Sequence, residues 1–268
     1  MILADLALAR RLEAAETAAA AEFAEAYREI FPVAGAASLS VAGGAAVYCG
    51  RGSVVNHASG MGLNGPVTRD NLDEVEAFFA DRDEPTAIEW CPLAHQSLLE
   101  VVGERAYRIS SATNMLYLPL EGWADPSPVI EVREVGPSER ADWAQVNALG
   151  FGDGVTPRFE DLYVVYGRLA SARLFLAEID GSVAGAGLVR LHNDSALLSA
   201  TSVLPAFRER GVHAALIAKR IAAACAAGIR LAVVRAGPGS ASQRNLERAG
   251  FRIAYTRLRL ISRSAEQA

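Results

Sequence analysis

The sequence predicts an α/β protein, an α+β mixed sheet with helices on both faces, divided into two domains. Three observations predict it. Short apolar runs alternate along the chain with longer Ala- and Leu-rich runs of helical spacing. The stretch Gly122-Trp123-Ala124-Asp125-Pro126-Ser127-Pro128 breaks that alternation with two prolines in a polar setting, which divides the chain into residues 1–125 and 126–268. Finally, Val203 to Leu216 reads as a strand end, a short basic loop with one glycine, and the start of an alanine-rich helix.

Each element follows from local chemistry. Residues 2–29 are rich in Ala, Leu, Glu and Arg and lack Gly and Pro, which predicts a long helix ending before Pro32. Ser38–Val41, Ala45–Cys49 and Ser53–Ala58 read as short strands, with Gly43-Gly44 as a hairpin turn. Thr68 is positioned to cap a helix whose Leu72, Val75, Phe78 and Phe79 share one face. A strand at Thr86–Trp90, a helix at Ala94–Gly103 and a strand at Tyr107–Leu118 complete the first domain.

The second domain opens with a strand over Val129–Val135, and Pro137 starts a helix that runs to about Leu149. A helix over Phe159–Leu169 follows, then strands at Leu174–Ile179 and Val183–Leu191 joined by the hairpin signal Asp180-Gly181. The turn His192 to Ser195 leads to a strand at Ala196–Val203, and the helix Val212–Ala227 ends at Gly228. A buried-type strand at Arg230–Arg235, a short helix at Ser240–Ala249 and a strand at Phe251–Ile261 close the chain. The order is β-α-α-β-β-β-α-β-α-β.

Composition narrows the function classes. At 268 residues, 51% of them hydrophobic, the chain can bury a core in each domain. The net charge of -5 argues against a nucleic-acid partner, which asks for a basic face. The apolar start is broken by Asp5, Arg10, Arg11, Glu13 and Glu16, so neither a signal peptide nor a membrane span of about 20 apolar residues is expected. Cys49, Cys91 and Cys225 have no metal-ligand spacing, and no metal is expected; three thiols without a disulfide framework suit a reducing cytoplasm.

The chemistry concentrates in Arg208-Glu209-Arg210-Gly211-Val212-His213. A strand–loop–helix junction aims backbone N–H groups and the positive end of a helix dipole at one spot, a geometry that binds a pyrophosphate. The later helix carries Gly239-Ser240-Ala241-Ser242-Gln243-Arg244-Asn245-Leu246-Glu247-Arg248-Ala249-Gly250-Phe251, with Ser240 and Gln243 spaced as a capping box.

Loop, helix and strand order together resemble the GNAT superfamily of acyl-CoA-dependent N-acyltransferases over roughly residues 129–262, through the loop pattern (Gln/Arg)-x-x-Gly-x-(Gly/Ala). The strand–helix–strand–helix–strand run of residues 53–118 resembles half of the same fold, as in tandem members with one degenerate copy. The resemblance implies acetyl-CoA as co-substrate. Its pyrophosphate would lie on the N–H groups of Glu209, Arg210, Gly211, Val212, His213 and Ala214, with Arg208 and Arg210 adding charge and Ser242 contributing from the later helix. Thr201, Ser202 and Val203 would pair with the pantetheine arm, and the Val203 N–H would polarise the thioester carbonyl.

The departures from the pattern matter too. His213 replaces the small residue that closes the loop, and either packs beside the helix or contacts the phosphates. Gly239 stands where members often carry an asparagine that touches the cofactor, and Leu246 where many carry a tyrosine acid, so thiolate protonation falls to water or Tyr255. The strand Ser195–Val203 contains no acid to serve as base. The candidates elsewhere are His192, Glu178, Glu160, Asp161 and Tyr255, with a water relay or a substrate amine of low pKa as the alternatives.

The implied function is a cytoplasmic N-acetyltransferase, monomer or homodimer, acting on a primary amine of a small molecule or peptide by direct attack. The alternative is a CoA-binding sensor or assembly protein without catalysis.

Overall fold

The computed structural model describes residues 4–127, 129–151 and 157–262, with side chains for all of these except 157–160. They form two compact units: one runs to Met115 and takes up the chain again from Ile253, and the other spans Leu116–Arg252.

In the first unit, Asp5 caps helix α1 (Leu6–Ile30) by accepting from the Leu8 N–H at 2.9 Å. Leu8, Leu12, Ala15, Ala19 and Phe23, spaced by three or four, are buried along one stripe. Strands β1 (Ala37–Val41) and β2 (Gly44–Tyr48) form a hairpin. Its turn residues are Ala42 and Gly43, both with positive φ (48° and 78°), the signature of a type I′ turn. Gly44, expected in the turn, is the first strand residue instead, and a Cβ there would come within 2.0 Å of the Ser59 carbonyl oxygen, so the position requires glycine.

Strand β3 (His57–Ser59) is shorter than expected. The Asn56 side chain accepts from the Cys49 N–H and donates to the Gly50 carbonyl, both at 2.8 Å, which holds residues 49–56 in a turn. Helix α2 (Arg69–Ala80) begins at Thr68, with Asn71 completing a reciprocal cap. Strand β4 (Ala87–Trp90), helix α3 (Ser97–Gly103) and the long strand β5 (Tyr107–Pro119) follow.

The second unit begins within β5, at Leu116. Strand β6 (Glu131–Glu134), helix α4 (Arg140–Gly150), helix α5 (Pro157–Tyr166) and strands β7 (Ala172–Ile179), β8 (Ser182–His192) and β9 (Ser195–Val203) come next. Then come helix α6 (Val212–Ala226), strand β10 (Leu231–Ala236) and helix α7 (Ala241–Arg248). The sheet order is β5-β10-β9-β8-β7-β6. Strands β9 and β10 are parallel, as a crossover through α6 requires. One face packs on α6, through Val212, Leu216, Ile217 and Ile221; the other packs on α4 and α5, through Trp143, Ala148 and Tyr163.

The last strand, β11 (Arg252–Ser262), falls in the first unit from Ile253 onward. It pairs antiparallel with β4 in the first unit, whose order is β1-β2-β3-β4-β11-β5, while the end of β5 fills the place beside β10 in the second. Each unit is thus completed by a strand from the other half of the sequence. Among the described residues, no helix is long and apolar enough to cross a membrane.

Candidate functional site

The site is built around the end of β9. Its ladder with β10 runs through Ser195↔Leu231 to Leu198↔Val234 and stops there, although β9 continues to Val203. On the other edge, the register with β8 passes from Ala186↔Ser202 to Leu188↔Ser199. Ala200 and Thr201 therefore face the single residue Gly187, which is a β-bulge, and Ala200 takes a left-handed φ of 44°. A bulge bends its strand and sharpens the local twist, and this one sits where β9 parts from β10.

The Leu204 N–H donates to the Ala184 carbonyl in β8 at 2.9 Å. Because N–H directions alternate along a strand, the Val203 N–H turns to the opposite edge, toward the side where β10 has ended.

The loop then climbs to α6. Pro205–Phe207 form a 3-10 turn, Arg208 is extended, and Glu209 is left-handed at φ 63°, a conformation that costs a residue with a Cβ about 1–2 kcal/mol. Gly211 is the N-cap of α6 at φ 86°, with no side-chain cap and no acid in the first turn. The first N–H groups of α6 are therefore left to a ligand or to water, under the positive end of the helix dipole.

The two arginines differ in engagement. Arg208 donates from Nη2 to the Gly150 carbonyl at 3.1 Å and from Nε to the Val203 carbonyl at 3.5 Å, lying along the open edge of β9. Arg210 is half-exposed, over the Phe207 ring at 5.6 Å and 3.7 Å from Asp180. Thr201 accepts from Arg220 through Oγ1 at 2.7 Å. Ser202 is buried, its hydroxyl 3.4 Å from the Val146 carbonyl.

The end of α4 rests on this strand. A Cβ on Gly150 would come within 2.5 Å of the Ser202 side chain and 3.2 Å of the Val203 nitrogen. Gly150→Ala is expected to push α4 off β9, lowering stability by about 1–3 kcal/mol as overpacking does; denaturation in urea measures it.

His213 lies half-buried, its Nδ1 3.5 Å from Asn245 Nδ2 on α7. Burial, with a smaller contribution from the Arg220 charge, lowers its pKa to about 4. The imidazole is therefore neutral near pH 7 and can offer a phosphate a hydrogen bond rather than a charge. The unfolded chain binds the proton near pH 6.5 and the folded chain only near 4, so this residue's contribution is intact above 6.5 and is lost as pH falls toward 4. The loss is expected to reach at most about 3 kcal/mol, at about 1.36 kcal/mol for each pH unit that separates the two values. Urea midpoints from pH 7 to 4 should show a shallower decline for His213→Gln than for the wild type.

On α7, Ser240 Oγ accepts from the Gln243 N–H at 3.1 Å, while Gln243 Oε1 accepts from the Gly239 N–H at 2.7 Å, one residue before the N-cap. Ser242 is half-buried in the first turn. Leu246 is buried in the core of the unit, so this position holds packing and no acid.

One expected residue is not brought to this site. His192 pairs with Ser195 at the far end of β9, roughly 25 Å from Val203 at about 3.3 Å per residue. Tyr255 belongs to the first unit and is buried there, its hydroxyl donating to Glu13 Oε1 at 2.6 Å. That commitment, with burial and the Glu13 charge pushing its pKa well above the ordinary phenol value, removes it as a ready proton donor. Glu178 is held by Arg133 at 2.7 Å, Asp161 lies half-buried on α5, and the Glu160 side chain falls outside the described residues.

Solved structures share this architecture. A GCN5-related N-acetyltransferase from Kribbella flavida superposes with a TM-score of 0.65 at 16% identity, over 92% of this chain and 96% of that one. The fold is that of the GCN5-related N-acetyltransferases. Another such protein, from Sphaerobacter thermophilus, gives a TM-score of 0.57 at 18% identity, over 77% of this chain and 71% of its own. A tandem GNAT protein from the clavulanic acid biosynthesis pathway gives 0.53 at 16%, over 72% and 68%. The chain thus combines a GNAT fold in its second unit with a smaller GNAT-like first unit. No family model matches the chain. A mycothiol acetyltransferase from Nocardia farcinica is 40% identical over 77 residues, 28% of this chain and only 25% of that protein's length.

Proposed function

We propose that the chain is an acyl-CoA-dependent N-acetyltransferase whose donor site is the open edge of β9 together with the loop into α6. The observation that carries this reading is the bulged strand, parted from β10 after Leu198 and delivering the Val203 N–H toward the resulting gap. The uncapped α6 N-terminus follows on the same chain. The likeness to GCN5-related N-acetyltransferases and the short match to a mycothiol acetyltransferase support it.

In this reading, acetyl-CoA lays its pyrophosphate on the N–H groups from Glu209 to Ala214, with Arg208 and Arg210 as counter-charges and Ser242 nearby on α7. The pantetheine arm pairs with Thr201 to Val203. The amine nitrogen bonds to the thioester carbon, and the resulting oxyanion is held by the Val203 N–H. Collapse breaks the C–S bond; the nitrogen gives up its proton to water, and water protonates the thiolate. Catalysis is mainly positioning, which suits a site whose strand β9 bears no acid and whose α7 bears Leu246 in place of a tyrosine.

Titrating the full chain with acetyl-CoA, then following free thiol across amine and peptide acceptors, tests the reading. Arg208→Ala with Arg210→Ala is expected to weaken acetyl-CoA binding by about 10- to 100-fold, since a charge-assisted hydrogen bond is worth about 1.5–3 kcal/mol. Binding with no thiol release from any acceptor would favour the CoA-sensor alternative. No binding at all would end both.

A further inference from the structure

The buried arginine of α6 bears on the donor site, and its role there rests on the acyl-CoA reading. Val212, Leu216 and Arg220 recur every four residues on the face of α6 that packs on the sheet. The first two are core residues. Arg220 is 1% exposed. A guanidinium taken out of water needs a full set of partners, and among the described residues no carboxylate neutralises it. Burial brings its pKa down to about 9, which still leaves it charged near pH 7.

Its partners are neutral oxygens. Nε donates to the Leu216 carbonyl on its own helix at 2.8 Å. Nη1 reaches the Leu188 carbonyl at 3.1 Å, the Ser199 carbonyl at 3.3 Å and Thr201 Oγ1 at 2.7 Å. These last three atoms are the two sides of the β8–β9 bulge. A bulge interrupts the ladder and leaves such groups without a strand partner, and an unmet buried carbonyl is costly. Space for the guanidinium comes from Gly187, the residue opposite the bulge, where a Cβ would stand 3.2 Å from the Arg220 Cζ. On the other face, Trp143 Nε1 donates to the Gly187 carbonyl at 3.2 Å.

We propose that Arg220 is a positioning residue for the acyl donor: it holds the bulge at Ala200 and Thr201, and so keeps the Val203 N–H on the open edge of β9. The reason is register. The bulge is one extra residue in β9, and a ladder without it would be shifted by one beyond Ser199. A one-residue shift reverses the direction of every following N–H, which would turn the Val203 N–H toward β8 and close the pairing edge. Arg220 stabilises the bulged register because only that register presents the Ser199 and Leu188 carbonyls and the Thr201 hydroxyl to one guanidinium. It also lies nine residues into α6, about 13 Å from the Gly211 cap at 1.5 Å per residue, so one helix addresses both the phosphate end and the bulge.

The test compares Arg220→Met, Arg220→Lys and Thr201→Val with a core control, Ile221→Ala, in the full chain. Two quantities are read: the Kd for acetyl-CoA, and amide hydrogen exchange at residues 199–203. Arg220→Met is expected to weaken acetyl-CoA at least 10-fold and to alter exchange at Ser202 and Val203. Thr201→Val should weaken it about 3-fold. Arg220→Lys should recover part of the loss, and Ile221→Ala should lower the unfolding midpoint while leaving Kd within twofold. If Arg220→Met does not fold, Thr201→Val and Arg220→Lys decide. Unchanged Kd and unchanged exchange in the folded Arg220 and Thr201 variants overturn the proposal, as does an equal loss of affinity in Ile221→Ala. A wild-type chain that binds no acetyl-CoA refutes the acyl-CoA reading instead, while exchange at 199–203 still shows whether Arg220 holds the bulge.

Discussion

Glu13→Gln is expected to destabilise the first unit by about 3–5 kcal/mol, the cost of leaving a buried charge without its partner. Glu13 and Arg257 are each 1% exposed, and Arg257 Nη2 and Nε approach Glu13 Oε1 at 2.7 and 3.1 Å. The same oxygen accepts from the Tyr255 hydroxyl at 2.6 Å. The pair joins α1, near the start of the chain, to β11, near its end, and so fixes the strand that completes the first unit. A glutamine keeps the shape and can still accept from Tyr255, but it removes the anion that Arg257 needs. The neighbouring acid Glu89 is already engaged by Arg259 at 3.1 Å and is a poor substitute. Urea unfolding should show the loss directly. A loss under about 1 kcal/mol would mean that water or Glu16 relieves Arg257, and the clamp would then be a minor contributor. Replacing the ion pair by apolar residues of similar volume, Glu13→Leu with Arg257→Met, should recover much of the stability, because removing both ions leaves no uncompensated buried charge.

Features set by short stretches of chain were legible in the sequence. Thr68 caps α2, Asp180-Gly181 turn a hairpin with φ of 53° and 73°, and Gly211 opens α6, each through chemistry within four residues. The strand–loop–helix junction before α6 is legible for the same reason: a strand end, an arginine pair and a glycine suffice to aim N–H groups outward.

Features set by distant partners were not legible. Nothing in Phe251–Ile261 distinguishes a strand that ends its own domain from one that pairs with β4. The bulge carries no glycine or asparagine at Ala200 to announce a positive φ. His192 and Tyr255 were attractive as residue types, yet strand register puts one at the wrong end of β9 and burial commits the other to Glu13. Arg220 and Glu13 did leave a signal, since each occupies the apolar stripe of its helix where a charge must find buried partners.

Gly185→Ala is expected to have the largest effect on the proposed donor site, a loss of about 100-fold in acetyl-CoA affinity or in turnover. A Cβ at this position would come within 2.6 Å of the Ser202 carbonyl oxygen and 3.0 Å of Val212 Cγ1. Neither neighbour can yield cheaply. Ser202 is part of the β8–β9 ladder one residue before Val203, and Val212 is the first residue of α6 and 1% exposed. Gly185 pairs with Val203 itself, so any shift is felt at the N–H proposed to hold the oxyanion. Its φ does not lie in the left-handed region, and the glycine is therefore required by close approach rather than by backbone conformation. The two ways of relieving the clash have distinct consequences. Moving Ser202 tilts the Val203 N–H and should lower turnover more than affinity; moving Val212 displaces the α6 N-terminus and should raise the Kd for acetyl-CoA. Calorimetry with acetyl-CoA and thiol-release kinetics, measured on a variant that still unfolds cooperatively, separate them. An unchanged Kd together with unchanged turnover would show that the donor does not use this end of β9.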